Sequence, residues 1–168
     1  NVTVCAVKGN FDDCQSGVKA IFTNSDVINT LENGGMRFSS ANSINWGRLV
    51  PQIVYYVSSY VTMASQGEIQ WGEKINVVVP TGNFGNILAA YYAKMMGVPI
   101  AKLICASNVN KVLTDFIRTG VYDRNREFYA TCSPSMDILI SSNLERLLYL
   151  LSGENDELIR DWFTKLAN

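Results

Sequence analysis

INVVVPTGNFGNILAAYYAKMMGVPIAKLIC, residues Ile75–Cys105, decides the fold of this chain. Ile75–Val79 is a valine-rich run of strand length, and Pro80–Asn86 (PTGNFGN) is a tight, glycine-bearing loop. Ile87–Met96 then reads as a helix apolar on nearly all sides, hence buried. Gly97 closes it and Pro99 stands just beyond, the usual stop signal. Ile100–Cys105 is a second apolar strand. Strand, loop, helix and strand within about thirty residues is the pattern of a parallel βαβ unit with a right-handed crossover. The class is α/β.

Upstream, Val2–Val7 (VTVCAV) reads as a buried strand ended by Lys8 and Gly9. Asn10 is placed to cap a helix reaching about Phe22, with Asp12 and Asp13 at the positive end of its dipole. Asn24–Arg37 reads as loop, with Asn33, Gly34 and Gly35 marking a turn. From Ser43 to Ala64 apolar residues recur at helical spacing, with Pro51 predicting a kink or a helix start. Downstream, the spacing predicts helices over Val109–Thr119, Leu144–Leu151 and Asp156–Ala167, and a short strand over Glu127–Cys132. No repeat or low-complexity linker divides the 168 residues, which read as a single α/β domain.

Composition narrows the function classes. Hydrophobic residues make up 48% and charged residues 17%, as in a globular chain with a core. A net charge of −1 argues against nucleic-acid and anionic-membrane partners, and no apolar run has the length of a membrane span. Cys5, Cys14, Cys105 and Cys132 are scattered and histidine is absent, so no metal site is expected. Reduced thiols and a cytoplasmic location are the expectation. The lack of histidine also closes every mechanism built on an imidazole base within this chain.

In open parallel sheets ligands sit beyond the carboxyl ends of the strands, which here is Thr81–Asn86. Gly82 and Gly85 allow a tight turn and close approach of backbone to ligand. Amides of residues 82–86 at a helix start form an anion site suited to phosphate, with Thr81, Asn83 and Asn86 as added donors. GNFG matches neither the GxxxxGK[ST] nor the GxGxxG nucleotide fingerprint. On spacing alone, glycines serving only the geometry of the turn remain the other reading.

PTGNFGN after an apolar strand closely resembles the phosphate-cradling loop of the threonine synthases, fold-type II enzymes dependent on pyridoxal 5'-phosphate (PLP). KGNFDDCQ (Lys8–Gln15), SSANSINWGRLVPQIVYY (Ser39–Tyr56), NVNKVLTDFIRTG (Asn108–Gly120) and SPSMDILISSNLERL (Ser133–Leu147) resemble further segments of the same family in the same order. The resemblance covers nearly the whole chain. It implies a three-layer sandwich with a mostly parallel, Rossmann-like sheet. It also implies conversion of O-phosphohomoserine and water to threonine and phosphate, with Gly82, Asn83, Phe84, Gly85 and Asn86 holding the cofactor phosphate. The family's Schiff-base lysine follows a phenylalanine in a segment this sequence does not include. None of the seven lysines stands in that context. The expectation is therefore a piece of a larger enzyme, inactive alone, with no catalytic residue to assign. Such a piece would need the rest of its own chain and would tend to self-associate through an apolar patch.

Asn42, Ser43 and Asn45 resemble a cleft-facing polar segment of the family and are candidate substrate contacts; capping of the long helix by Ser43 is the structural alternative. Arg48 reads as a partly solvated helical arginine, contact with a substrate phosphate being the alternative, and no role is assigned to Asp137. The rival class is a non-catalytic module that binds phosphate or PLP, or regulates something else.

Overall fold

A computed structural model of the protein describes residues 2–167. Helix α1 (Phe11–Phe22) starts at Asn10 in a reciprocal capping box: Asn10 Oδ1 accepts from the Asp13 amide at 3.1 Å, and Asp13 Oδ2 accepts from the Asn10 amide at 2.8 Å. Helix α2 (Ser25–Asn33) occupies the stretch read as loop. Its start is set by Asn24, whose side chain accepts from the amides of Asp26 and Val27. The turn at Gly34 and Gly35 follows where expected, with Gly35 at φ +71°.

Pro51 acts as the spacing predicts. A short helix α3 (Trp46–Leu49) passes through a 3₁₀ turn (Val50–Gln52) into α4 (Ile53–Ser65). The proline sits in the first turn of the new segment, where its missing N–H costs least. The apolar stripe of this stretch splits. Leu49, Tyr60 and Ala64 are buried, whereas Val50, Val54, Val57 and Val61 are exposed.

Strands β1 (Ile75–Pro80) and β2 (Ile100–Ala106) pair in parallel, Ile75 opposite Ile100 and Pro80 opposite Ala106. They are joined through α5 (Gly85–Met95), as the deciding stretch predicts. The expected α/β architecture is present: a small parallel sheet flanked by helices. Gly97 at φ +107° ends the turn after α5. Helix α5 is the centre of the core, with Ile87, Leu88, Ala89, Ala90 and Ala93 all buried. Around it close Leu49, Val79, Val112, Leu113 and Leu144, from α3, β1, α6 (Val112–Thr119) and α7 (Leu144–Leu151). Each fully buried leucine contributes about 1.5–3 kcal/mol by leaving water. The opposite face of the strand pair is open, with Val78 and Ile104 exposed. Helix α8 (Asp156–Ala167) packs on α7.

Two expected strands are absent. Val2–Val7 forms no regular element and has no strand partner, and Val2 is 92% exposed. Valine favours a strand only where a neighbour takes its ladder bonds, and among the described residues β1 and β2 take only each other's. Glu127–Cys132 likewise forms no strand, because side chains take up its backbone groups. Asn110 accepts from the Tyr129 amide at 3.0 Å and donates to the Tyr129 carbonyl at 2.7 Å. Asp137 accepts from the Thr131 amide at 2.7 Å and the Thr131 hydroxyl at 2.8 Å.

Asp137 is buried and also accepts from Asn108 and Asn110. Burial raises the pKa of its carboxyl, but these hydrogen bonds outweigh it and hold the group below the usual carboxylate range. A lowered folded-state pKa stabilises the fold above the unfolded value of about 3.9, and this is lost as pH falls through the folded value. Asp12 is shifted the other way, raised chiefly by burial, so its ionisation works against the fold as pH rises. Melting temperature measured from pH 6 down to 2 should therefore fall less steeply in Asp137→Asn, and more steeply in Asp12→Asn, than in the unchanged chain.

Candidate functional site

The loop leaves β1 through Thr81, which is buried. Its amide donates to the Ala106 carbonyl at 2.8 Å and its hydroxyl to the Val79 carbonyl at 2.7 Å. Thr81 thus closes the end of the sheet, and its hydroxyl is not directed outward as a free donor. Gly82 follows in close contact: a Cβ there would stand 2.8 Å from Ile138 Cδ1 and 3.3 Å from the Ser135 carbonyl.

Phe84 then adopts the left-handed conformation, φ +64° and ψ 1°, immediately before α5. A bulky residue there costs on the order of 1–3 kcal/mol. Burial of its ring, 5% exposed, offsets a comparable amount. The kink opens the first turn of α5, whose start has no side-chain cap. Among the described residues the amides of Gly82, Asn83, Phe84, Gly85 and Asn86 make no hydrogen bond. Consecutive free amides at the positive end of a helix dipole are what a phosphate group needs. Gly85 is required by space and not by dihedral: its Cβ would lie 2.5 Å from Ser43 Oγ and 2.7 Å from Ser43 Cβ. The residues present fit a phosphate-bearing cofactor at its phosphate end.

The two asparagine side chains of the loop are turned to the protein. Asn83 Oδ1 accepts from Ser142 Oγ at 3.2 Å. Asn86 Oδ1 accepts from Tyr56 Oη at 2.5 Å, and its Nδ2 donates to Gln52 Oε1 at 3.0 Å, tying α5 to the Pro51 kink. Burial pushes the Tyr56 hydroxyl up to about 12, so it stays protonated and donating at neutral pH.

Of the three upstream candidates, only Ser43 is brought against the loop, where its Oγ accepts from Asn143 Nδ2 at 3.0 Å. Asn42 Oδ1 accepts from the Ile44 amide, a local turn bond. Asn45, not Ser43, caps α3, accepting from the Gly47 amide at 3.0 Å while its Nδ2 donates to the Ser40 carbonyl.

Sequence reasoning missed the residues that buttress the loop from behind. Asn143 is fully buried, and both its amide, at 3.1 Å, and its Nδ2, at 3.0 Å, donate to the Asn83 carbonyl. Arg146 donates to Asn143 Oδ1 at 2.5 Å, to the Ser43 carbonyl at 2.9 Å and to the Ile44 carbonyl. Its guanidinium lies 5.8 Å from the centre of the Trp46 ring. The only signal was a polar SSN triplet before the apolar helix α7, which reads as a cap. Asn143 does stand at that N-cap position, but its side chain makes no cap bond and serves the loop.

All seven lysines are exposed. Lys94 donates to the Ala101 carbonyl, and Lys111 and Lys165 meet Asp115 and Asp161. Among the described residues no helix is long and apolar enough to cross a membrane.

No protein-family model matches the chain. Individual proteins do. The chain is 56% identical over 165 residues to human threonine synthase-like 1, covering 96% of itself and 22% of that protein. It is 45% identical over 175 residues to the threonine synthase of Saccharomyces cerevisiae, covering 99% of itself and 32% of the relative. In three dimensions it superposes on PLP-bound threonine synthase from Brucella melitensis with a TM-score of 0.78 at 41% identity. That superposition takes in 96% of this chain and 32% of the Brucella one. This chain is a homologue of the threonine synthases. Yeast threonine synthase aligns with a TM-score of 0.75 at 43% identity, and its α/β architecture is shared. The chain spans about a fifth to a third of the length of the threonine synthases and threonine synthase-like proteins it matches.

Proposed function

We propose that the chain is the cofactor-phosphate-holding part of a PLP-dependent threonine synthase, acting on O-phosphohomoserine and water to give threonine and phosphate. The observation that carries this reading is the run of free amides over Gly82–Asn86 at the left-handed entry to α5, in a homologue of a PLP-bound enzyme. PLP, when bound, would supply the electron sink for loss of phosphate from the substrate. The chain's own residues would bind and orient. Amides 82–86 would hold the cofactor phosphate, with the glycines admitting it and Ser43 setting how close α5 stands to the 42–45 segment. Asn42, Ser43 and Asn45 stay candidates for substrate contact, with Ser43 nearest the loop. Four free cysteines suit a reducing, cytoplasmic compartment.

With none of its seven lysines in the family's Schiff-base context, these 168 residues would bind PLP without making threonine. The experiment is titration of PLP into the chain, followed by tryptophan fluorescence, phosphate competition, borohydride reduction and mapping of labelled lysines. Saturable binding displaced by inorganic phosphate, with no single lysine labelled, is expected. Stoichiometric labelling of one lysine, or threonine production, would refute the inactive reading. Absence of any binding would refute the cradle.

The open faces of the strand pair (Val78, Ile104) and of α4 (Val54, Tyr55, Val61) are where the expected self-association would occur. Sedimentation should show mass rising with concentration. A monomer throughout would exclude it.

A further inference from the structure

Asn83 and Phe84 share one planar peptide, so whatever fixes the Asn83 carbonyl also aims the Phe84 N–H, to the opposite side. Two donors fix that carbonyl, and both belong to Asn143, through its amide at 3.1 Å and its Nδ2 at 3.0 Å. The bonds do more than satisfy an acceptor. Phe84 is the N-cap of α5 and its carbonyl takes the first ladder bond, from the Leu88 amide at 3.1 Å, so the Asn83 carbonyl lies one residue outside the helix and has no ladder partner of its own. Asn143 supplies the partners that the helix does not, and the carbonyl it holds stands directly before the left-handed turn at Phe84, φ +64°.

The side chain that does this has no freedom of its own. Asn143 is fully buried, its Nδ2 also donates to Ser43 Oγ, and its Oδ1 accepts from Arg146 at 2.5 Å. Arg146 settles which end of the carboxamide is oxygen, since a guanidinium only donates; the NH₂ end must then face Asn83 and Ser43. Arg146 makes no ion pair among the described residues, so its charge is shared only with carbonyl oxygens and the Trp46 face. One residue, about sixty positions from the loop, therefore sets both the plane of its left-handed peptide and its distance from the 42–45 segment.

We propose that Asn143, oriented by Arg146, is a positioning residue of the anion site: by fixing the Asn83–Phe84 peptide plane it sets the affinity of the loop for phosphate. The inference rests on the anion-site reading above and deepens it. Substrate and cofactor need not touch Asn143.

The test is calorimetric titration of inorganic phosphate and of PLP into the unchanged chain, Asn143→Ala, Asn143→Asp and Arg146→Lys, each with its melting temperature. Asn143→Ala should weaken both ligands by about tenfold or more, the loss expected when a buried hydrogen-bonded group is removed. Asn143→Asp keeps the acceptor for Arg146, so it should stay folded even if the alanine variant does not. It keeps the backbone amide bond to Asn83 but replaces the side-chain donor with a carboxylate oxygen set against the Asn83 carbonyl, so it should bind more weakly still. Arg146→Lys should give a smaller loss in affinity, of about threefold, because one ammonium cannot reproduce the guanidinium fork. A folded Asn143→Ala or Asn143→Asp chain that binds phosphate within twofold of the unchanged chain, with only its melting temperature lowered, would reduce Asn143 to a structural residue and overturn the proposal. Failure of the unchanged chain itself to bind would instead overturn the anion-site reading and this inference with it.

Discussion

Alanine at position 85 is expected to weaken phosphate and PLP binding by about 100-fold, the scale of one or two lost hydrogen bonds to a charged group at about 1.5–3 kcal/mol each. The added methyl would stand 2.5 Å from Ser43 Oγ and 2.7 Å from Ser43 Cβ, and something must move. Ser43 is a poor candidate to yield. Its hydroxyl is held by Asn143 and its carbonyl by Arg146, so it is anchored on both sides. The first turn of α5 must give way instead, and with it the amides of the loop. Gly82→Ala is the control. Its new methyl meets first the far end of the Ile138 side chain, which can rotate aside, although the Ser135 carbonyl at 3.3 Å keeps the change from being free. Isothermal titration of both variants decides the matter. Equal, small losses at the two positions would mean that the approach of α5 to Ser43 does not govern the site.

Leu88→Ala is expected to cost about 3–5 kcal/mol, measured as the fall in unfolding free energy in urea. Leu88 is fully buried on α5 in the cluster with Leu49, Val79, Ile87, Val112 and Leu144. Its removal leaves a cavity walled by several elements, so no single element can collapse into it. Natural domains have only about 5–15 kcal/mol to lose. Here the open side of the strand pair leaves less apolar area buried than an enclosed sheet would, and the variant should be partly unfolded at 37 °C. A loss under 1 kcal/mol would show that α5 is not the centre of the core.

The βαβ unit was legible because each of its signals is local. The valine run, the glycine loop and the Gly97–Pro99 stop lie within a few residues of what they determine. Helix α7, with four leucines at helical spacing, was legible for the same reason. The errors fall where an outcome depends on a distant partner or on a rival for the same backbone groups. Val2–Val7 has strand composition but no strand beside it. Thr131 and Tyr129 give their backbone bonds to Asp137 and Asn110, which nothing within Glu127–Cys132 announces. Helix α2 starts at a local signal, the Asn24 cap, but its nine residues end in Asn33 and run into two glycines, which give the same stretch the composition of a turn. The candidate site divides in the same way. Gly82–Asn86 could be read from spacing and from resemblance, whereas the hold of Asn143 on Asn83 joins residues sixty positions apart and has no trace in either segment alone.

The pairing of Ile75 with Ile100 has a consequence in time as well as in space. A parallel pair cannot begin as a hairpin. About 25 residues must be closed into a loop before the first ladder bond forms, at an entropic cost that nothing local repays. Helix α5 lies within that loop and can form first, shortening the span that has to be searched. The chain should accordingly refold on the slower timescale of mixed α/β domains, not that of helical bundles. Because the Thr81–Asn86 loop joins β1 to α5, its amides reach their final places only as the crossover docks, so the phosphate binding proposed for it should appear in the last kinetic phase of refolding.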